Sequence, residues 1–335
     1  MKVPFSLLDL AFVGEGQTPR DALAASVTLA RRAEALGYLR VWYAEHHNMA
    51  AIASSATSVL IAHVAANTRS IRVGSGGIML PNHAPLMIAE QFGTLESLHP
   101  GRIDLGLGRA PGTDPVTTRA LRYHPGRAET FPSDVLELQG YLSDTPAAVE
   151  ATPGKGTNVP LYILGSSLFG ARLAAEFGLP YAFASHFAPA ALEEAVAEYR
   201  ARFRPSAQLR APYVIAGVNV IAAGSAAEAE DQFRRVQRAR VKILLGRGQA
   251  WDDEQTDTVL ASPAGQSVAA MATYTALGTE SDVAEYLGWF VGHAQADELI
   301  TVHPGPSAED RLCSLEIAAR VGALTPRATA AMPRP

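Results

Sequence analysis

The 335-residue sequence has a single cysteine, Cys313, which excludes an intramolecular disulfide framework and a thiolate metal cluster. Lysine is nearly missing too, present only as Lys2, Lys155 and Lys242. Positive charge therefore rests on scattered arginines, and with a formal net charge of −5 no basic run marks a nucleic-acid partner. No apolar run approaches the ~20 residues that cross a bilayer, so no membrane partner is expected. The N-terminus, MKVPFSLLDL, lacks the longer apolar stretch and cleavage site of a secretory signal, and a cytoplasmic location is expected. What is present is a chain 48% hydrophobic and 18% charged, enough for a large core. Its charge suits a small anionic ligand held by one placed arginine. Cys313 lies in RLCSLEIAARV, an alternating apolar pattern, and is expected to be a small buried hydrophobe.

Short apolar runs alternate with helical patterns along the whole chain. FSLLDLAF reads as a strand. Thr18-Pro19-Arg20-Asp21 then opens a helix, with threonine at the cap, proline in the first turn and an acid near the positive helix end; Gly37 closes it. YLRVWYA, IRVGSGGIML, RIDLGLG, LYILG, YAFASHF, YVIAGVNVIA and DELITVHP supply the other strands, separated by helical stretches. Near-continuous apolar strands of this kind are expected in a parallel sheet buried on both faces. The predicted fold is α/β, a closed (β/α)8 TIM barrel forming one domain over residues 1–324, with a disordered tail over 325–335. A doubly wound open sheet is the competing architecture. Two stretches break the rhythm: 144–160, an excursion before the fifth strand, and 247–265, a polar segment that reads either as an active-site lid or as a surface loop.

A barrel of this type gathers its chemistry at the C-terminal strand ends. There the sequence places Glu45-His46-His47, Ser75-Gly76-Gly77, Arg109, Ser166 and Ser167, with His186 and His303 on the sixth and eighth strands. WYAEHHNM invites a metal reading, which would need further ligands such as Asp9, His186 or His303. Neighbouring side chains on a strand point to opposite faces, so the two imidazoles do not easily share one ion. One histidine facing the mouth with its neighbour turned away fits better, and no metal is expected. Asp9, His186 and His303 then remain as substrate-pocket candidates. The glycines of IRVGSGGIML suit either close approach of a flat cofactor or a barrel-closing kink. GLGRAPG has the wrong spacing for a dinucleotide fingerprint, and Arg109 reads as a fixed cation. In LYILGSSLFGARLAAEFG a strand runs into a helix start bracketed by Ser166, Ser167 and Gly170, where free amides and the helix dipole favour a phosphate.

Together WYAEHHNM, VGSGGIMLPNHAPLMIAEQFGTLESLHPGRIDLGLGRAPGTDP and YILGSSLFGARLAAEFGLPYAFASHF resemble the bacterial luciferase-like family of flavin-dependent monooxygenases, in its single-subunit branch associated with natural-product pathways. The resemblance implies FMN as cofactor, a homodimer, a separate NAD(P)H-flavin reductase and a small-molecule substrate, such as an aromatic polyketide. It implies a peroxyflavin route to hydroxylation or oxygen insertion, with His46 as the catalytic residue. It also implies that Ser75, Gly76 and Gly77 back the flavin ring, commonly through a non-proline cis peptide, and that Arg109, Ser166, Ser167 and Gly170 hold the phosphate end. Where the luciferase α-subunit has a reactive cysteine this chain has Gly108, so light emission is not implied. Three alternatives stay open: a deazaflavin-dependent dehydrogenase of the same fold, a metal-dependent barrel hydrolase, and a non-catalytic flavin carrier.

Overall fold

The computed structural model describes residues 3–110, 113–146, 148–246 and 249–326. The chain runs β1 (Phe5–Asp9), α1 (Pro19–Leu36), β2 (Arg40–Tyr43), α2 (Thr57–Ala66), β3 (Arg72–Met79), α3 (Pro85–Leu98) and β4 (Ile103–Gly108). It continues through α4 (Pro115–Ala120), α5 (Phe131–Leu142), β5 (Leu161–Gly165), α6 (Leu168–Phe177), β6 (Tyr181–Phe183), α7 (Leu192–Arg202) and β7 (Val214–Ala222). The last part is α8 (Ala226–Leu245), α9 (Asp253–Ala261), α10 (Pro263–Ala270), β8 (Thr275–Gly278), α11 (Glu280–His293), β9 (Glu298–Val302) and α12 (Ala308–Val321).

Each of β1 to β6 pairs in parallel with the next, and the ring closes through β6–β7, β7–β9 and β9–β1. Those eight strands are the eight apolar runs of the sequence, and the open-sheet alternative is excluded. β8 is an addition outside the ring, paired only with Asn219–Ala222 at the far end of β7. α1 begins and ends as its residues dictate: Thr18 and Asp21 form a reciprocal capping box, and Gly37 takes φ 93°, a left-handed conformation that glycine adopts without penalty.

Strand alternation divides the core in two. Leu8, Trp42, Tyr162, Ile215, Ile300 and Val302 fill the barrel interior. Their neighbours Leu7, Val41, Tyr43 and Leu299 face outward into the larger core between barrel and helices.

Two expectations need correction. Residues 247–265 are not a long loop: from Asp253 onward the chain forms α9 and α10, and Arg238 on α8 ties α9 down through Asp253 (2.6 Å) and Asp257 (2.5 Å). Arg247 and Gly248 lie outside the described residues, as do 327–335 of the expected tail. Cys313 is exposed rather than buried. It sits on a helix, where burial follows a 3.6-residue period, so Arg311, Ser314, Leu315 and Ala318 turn inward and Cys313 does not. Among the described residues no helix is long and apolar enough to cross a membrane.

Candidate active site

The Glu45-His46-His47 loop follows β2 and is organised by its acid. Glu45 is 1% exposed and accepts hydrogen bonds from the Met79 backbone N–H (3.0 Å) and from Asn82 (3.1 Å). Its carboxylate also meets His47 Nε2 (2.9 Å) and His83 Nε2 (3.0 Å). Burial alone would raise the carboxyl pKa, but the hydrogen bond and charge of His83, with the hydrogen bonds of His47 and Asn82, hold it below the ordinary value. His47 is thus turned to Glu45. His46 stays partly exposed, with its own N–H bonded to the Ser54 carbonyl (3.2 Å). The loop after β4 closes this side, Thr113 donating to the His47 carbonyl (2.9 Å) and Asn48 to Asp114 (2.9 Å).

β3 lies beside this loop. The Gly76–Gly77 peptide is cis, and the register with β4 shifts between Ser75 and Ile78. The glycines are demanded by the barrel: a Cβ on Gly76 would lie 2.9 Å from Leu8 and 3.0 Å from Trp42, and one on Gly77 2.7 Å from the Gly106 carbonyl. Ser75 is buried and donates to that same carbonyl (2.8 Å). Of the two sequence readings of this strand, packing between strands therefore accounts for the glycines directly. The strand still presents only backbone where Gly76 and Gly77 stand. A Cβ at Gly108 would meet the Met79 thioether at 2.9 Å, so Met79 fills the space a side chain there would need.

Arg109 follows β4 directly and is exposed. Its guanidinium sits 4.0 Å from the centre of the Phe169 ring, in the first turn of α6. That contact joins two elements far apart in sequence, and it puts Arg109 at the helix start marked by Ser166, Ser167 and Gly170. Ser167 is the N-cap residue, and its side chain makes no capping hydrogen bond. The first amides of α6 are therefore not claimed by the cap side chain. Gly170 is buried, and a Cβ there would come within 3.2 Å of Tyr181, whose hydroxyl donates to the Ser167 carbonyl (3.0 Å). Glycine lets the helix start settle on β6.

Of the three substrate-pocket candidates, only His186 is near this group. It is 8% exposed, and burial, aided by the charges of Arg240 and His46, pushes its pKa down to about 3. Asp9 and His303 are placed elsewhere, for one reason. Leu8 and Val302 face the interior, so the residue after each faces the helices. Asp9 is buried in an ion pair with Arg311 (2.6 Å) and accepts from Ser26 (2.5 Å). Both ring nitrogens of His303 are engaged, by Ser314 (2.8 Å) and Thr301 (3.0 Å). Sequence reasoning missed His83, Asn82 and Arg240, none of which follows a strand directly.

The fold and this grouping define a parallel eight-stranded barrel whose polar groups gather where such barrels carry out their chemistry. Comparison with known proteins narrows the class. A family model described as luciferase-like monooxygenase matches residues 3–293. The chain is 48% identical over 321 residues to a luciferase-like monooxygenase of Escherichia coli (strain K12), covering 94% of this chain and 96% of that one. It is 33% identical over 328 residues to the N-acetyl-S-alkylcysteine monooxygenase of Bacillus subtilis (strain 168), covering 94% and 97%. Among solved structures, apo-MsnO8 is 35% identical with a TM-score of 0.83, over 97% of this chain and 100% of that one. The chain belongs to the luciferase-like monooxygenase family, and its class is that of an oxidoreductase.

Proposed function

We propose that this chain is the oxygenating component of a two-component FMN-dependent monooxygenase. It takes reduced FMN from a separate NAD(P)H-flavin reductase and uses O2 to hydroxylate, or insert oxygen into, a small organic substrate. The observation that carries the reading is the seating of Arg109 on Phe169, at an α6 start whose cap side chain leaves the first amides unclaimed. When bound, reduced FMN would supply the two electrons that activate O2.

The residues present fit that group. An exposed guanidinium and the positive end of a ten-residue helix oppose a phosphate's charge from two directions. The glycine pair of β3 leaves backbone alone for a flat ring to rest on. His46 is the imidazole left to hold or move a proton at the mouth, because His47 is committed to Glu45. Glu45 fixes the relation between that loop and β3 by bonding to Met79, so it is a positioning residue.

The anion site makes a direct prediction. Arg109→Ala should weaken FMN binding about tenfold or more, the scale of a lost charge-assisted contact. It should leave riboflavin, which lacks the phosphate, within about twofold. Fluorescence titration with both flavins measures this; equal losses, or none, would remove Arg109 from the phosphate site. The cofactor itself needs the same test. Two barrels of this fold, each 16% identical, are a Baeyer-Villiger oxygenating constituent in complex with FMN (TM-score 0.72) and an F420-dependent alcohol dehydrogenase (TM-score 0.70). Such likeness shows the fold alone. Anaerobic titration with reduced FMN and reduced F420 decides, and tighter binding of F420 would replace the monooxygenase reading with the dehydrogenase one.

We also propose a homodimer. The neighbouring helices α2 and α3 expose Val59 (68%), Met87 (57%) and Leu98 (63%), a grouping of apolar side chains suited to a second copy. Sedimentation at micromolar concentration should give the dimer mass, and Met87→Glu should give the monomer. A wild-type monomer would end this part of the proposal.

A further inference from the structure

Among the described residues, Arg240 has no partner of its own. It lies near the end of α8 and is partly buried, yet among the described residues it makes no hydrogen bond and no ion pair. Every other partly buried or buried arginine discussed above meets a carboxylate. A guanidinium withdrawn from water without a counter-ion is costly, and burial lowers its pKa with no opposing charge to restore it.

Two buried polar groups on the elements that α8 packs against or near are also unmatched. His186 Nδ1 is buried without a hydrogen-bond partner, and so is Asn219 Oδ1 on β7. The Asn219 amide N–H2 donates to the His186 carbonyl (2.7 Å), which fixes the backbone that carries the imidazole. The glycine facing that ring is required: a Cβ on Gly217 would lie 2.4 Å from His186 Nδ1. α8 packs on β7, which carries Asn219, and the charges of both Arg240 and His46 reach His186. Buried polar atoms left unpaired are rare in folded proteins, and several in one place, beside an unpaired cation, are the negative image of a ligand.

We infer that Arg240, with His186 and Asn219 beside it, binds a carboxylate of the substrate and so selects anionic molecules for the reaction proposed above. The inference deepens that reading and rests on it for the entry of a substrate at this mouth. The guanidinium supplies a two-pronged donor matched to a carboxylate. His186 stays neutral at neutral pH and adds hydrogen bonding without a second charge. An anionic group held there leaves the rest of the molecule on the His46 side of the pocket.

The test uses matched pairs that differ only in charge, benzoate with benzamide and N-acetylmethionine with its amide, titrated calorimetrically into the FMN-loaded protein. The wild type is expected to bind each carboxylate about tenfold or more tighter than its amide. Arg240→Gln should erase that preference, and Arg240→Lys should retain part of it. FMN affinity is measured on the same samples and should change less than about twofold in both variants. Absence of a carboxylate preference in the wild type, or its survival in Arg240→Gln, would overturn the inference. So would a parallel loss of FMN affinity, which would assign Arg240 to the cofactor's phosphate. If carboxylates bind through Arg240 in the protein without FMN while FMN does not bind at all, the flavin reading fails and the selector stands.

Discussion

Replacing His46 with alanine is expected to shorten the delay between O2 uptake and hydrogen peroxide release by about 10²–10⁴-fold, the range typical of a lost proton-transfer group. The measurement needs no substrate: the protein is loaded anaerobically with reduced FMN, pulsed with O2, and peroxide is followed in time. His46 is singled out by what its neighbours already do. His47 is held by Glu45 at 2.9 Å, and His83 by the same carboxylate at 3.0 Å. His186 is buried and kept neutral by its surroundings, with its pKa near 3. That leaves His46 as the histidine of this group that neither meets Glu45 nor is buried like His186, on a loop pinned to Ser54 through its backbone. His46→Asn separates two roles, because asparagine still donates a hydrogen bond but carries no titratable proton. If the proton matters, both variants lose the delay; if only the hydrogen bond matters, His46→Asn keeps most of it. Unchanged kinetics in both would take His46 out of the chemistry. FMN affinity should survive in each, since the proposed phosphate site lies on the Arg109 side.

The barrel was readable because its signal is repeated. Eight apolar runs, each near the length of a strand and each followed by a helical stretch, admit few architectures. The ninth strand was not readable for the converse reason. Thr275–Gly278 is four residues long with alternating burial, and it earns its place by pairing with the overhang of β7, a tertiary fact. The helices after Asp252 are a different case, because their signals are local. Asp252 and Gln255 form a capping box, and Ser262 caps a helix that starts with Pro263. The polar composition of 247–265 hides them from a reading that looks only for apolar periodicity.

The candidate site shows the same division. Chemistry read Arg109 as a fixed cation and the Ser166–Gly170 segment as a phosphate site, the resemblance assigned both to one ligand, and the 4.0 Å contact of Arg109 with Phe169 brings them together. Asp9 and His303 were drawn toward the mouth because they stand at strand ends, yet parity sends them outward. The information was present: with Leu8 and Val302 inside, the next residue on each strand faces the helices. Arg240 could not be found this way. It comes from the last turns of a long helix that carries several arginines, and only the absence of a partner among the described residues distinguishes it.

The other large effect lies at the opposite end of the barrel, where catalysis has no part. Arg40, 5% exposed at the start of β2, reaches Asp104 at 2.8 Å and Glu298 at 3.1 Å and donates to the Tyr162 hydroxyl at 2.7 Å. Asp104, fully buried, also accepts from Trp42 (3.0 Å) and pairs with Arg72 (2.5 Å). Removing one partner of such a network leaves charges buried and unmatched, so Arg40→Met is expected to cost about 3–5 kcal/mol of stability. The exposed pair Arg32–Glu316, at 2.7 Å, is the control, and Arg32→Ala should cost under about 1 kcal/mol. Urea unfolding measures both, and equal small losses would show that the floor network contributes little. The network also fixes a direction for pH. Burial raises the Asp104 pKa, but Arg40 and Arg72 outweigh it and hold the group below its ordinary 3.8. A depressed native pKa stabilises the fold fully above the unfolded value and loses its contribution as pH falls through the native one. The stability gap between wild type and Asp104→Asn should therefore be constant near neutral pH and narrow only below about pH 4. A gap that narrows on the alkaline side instead would mean that Asp104 is not the ionised partner at the barrel floor.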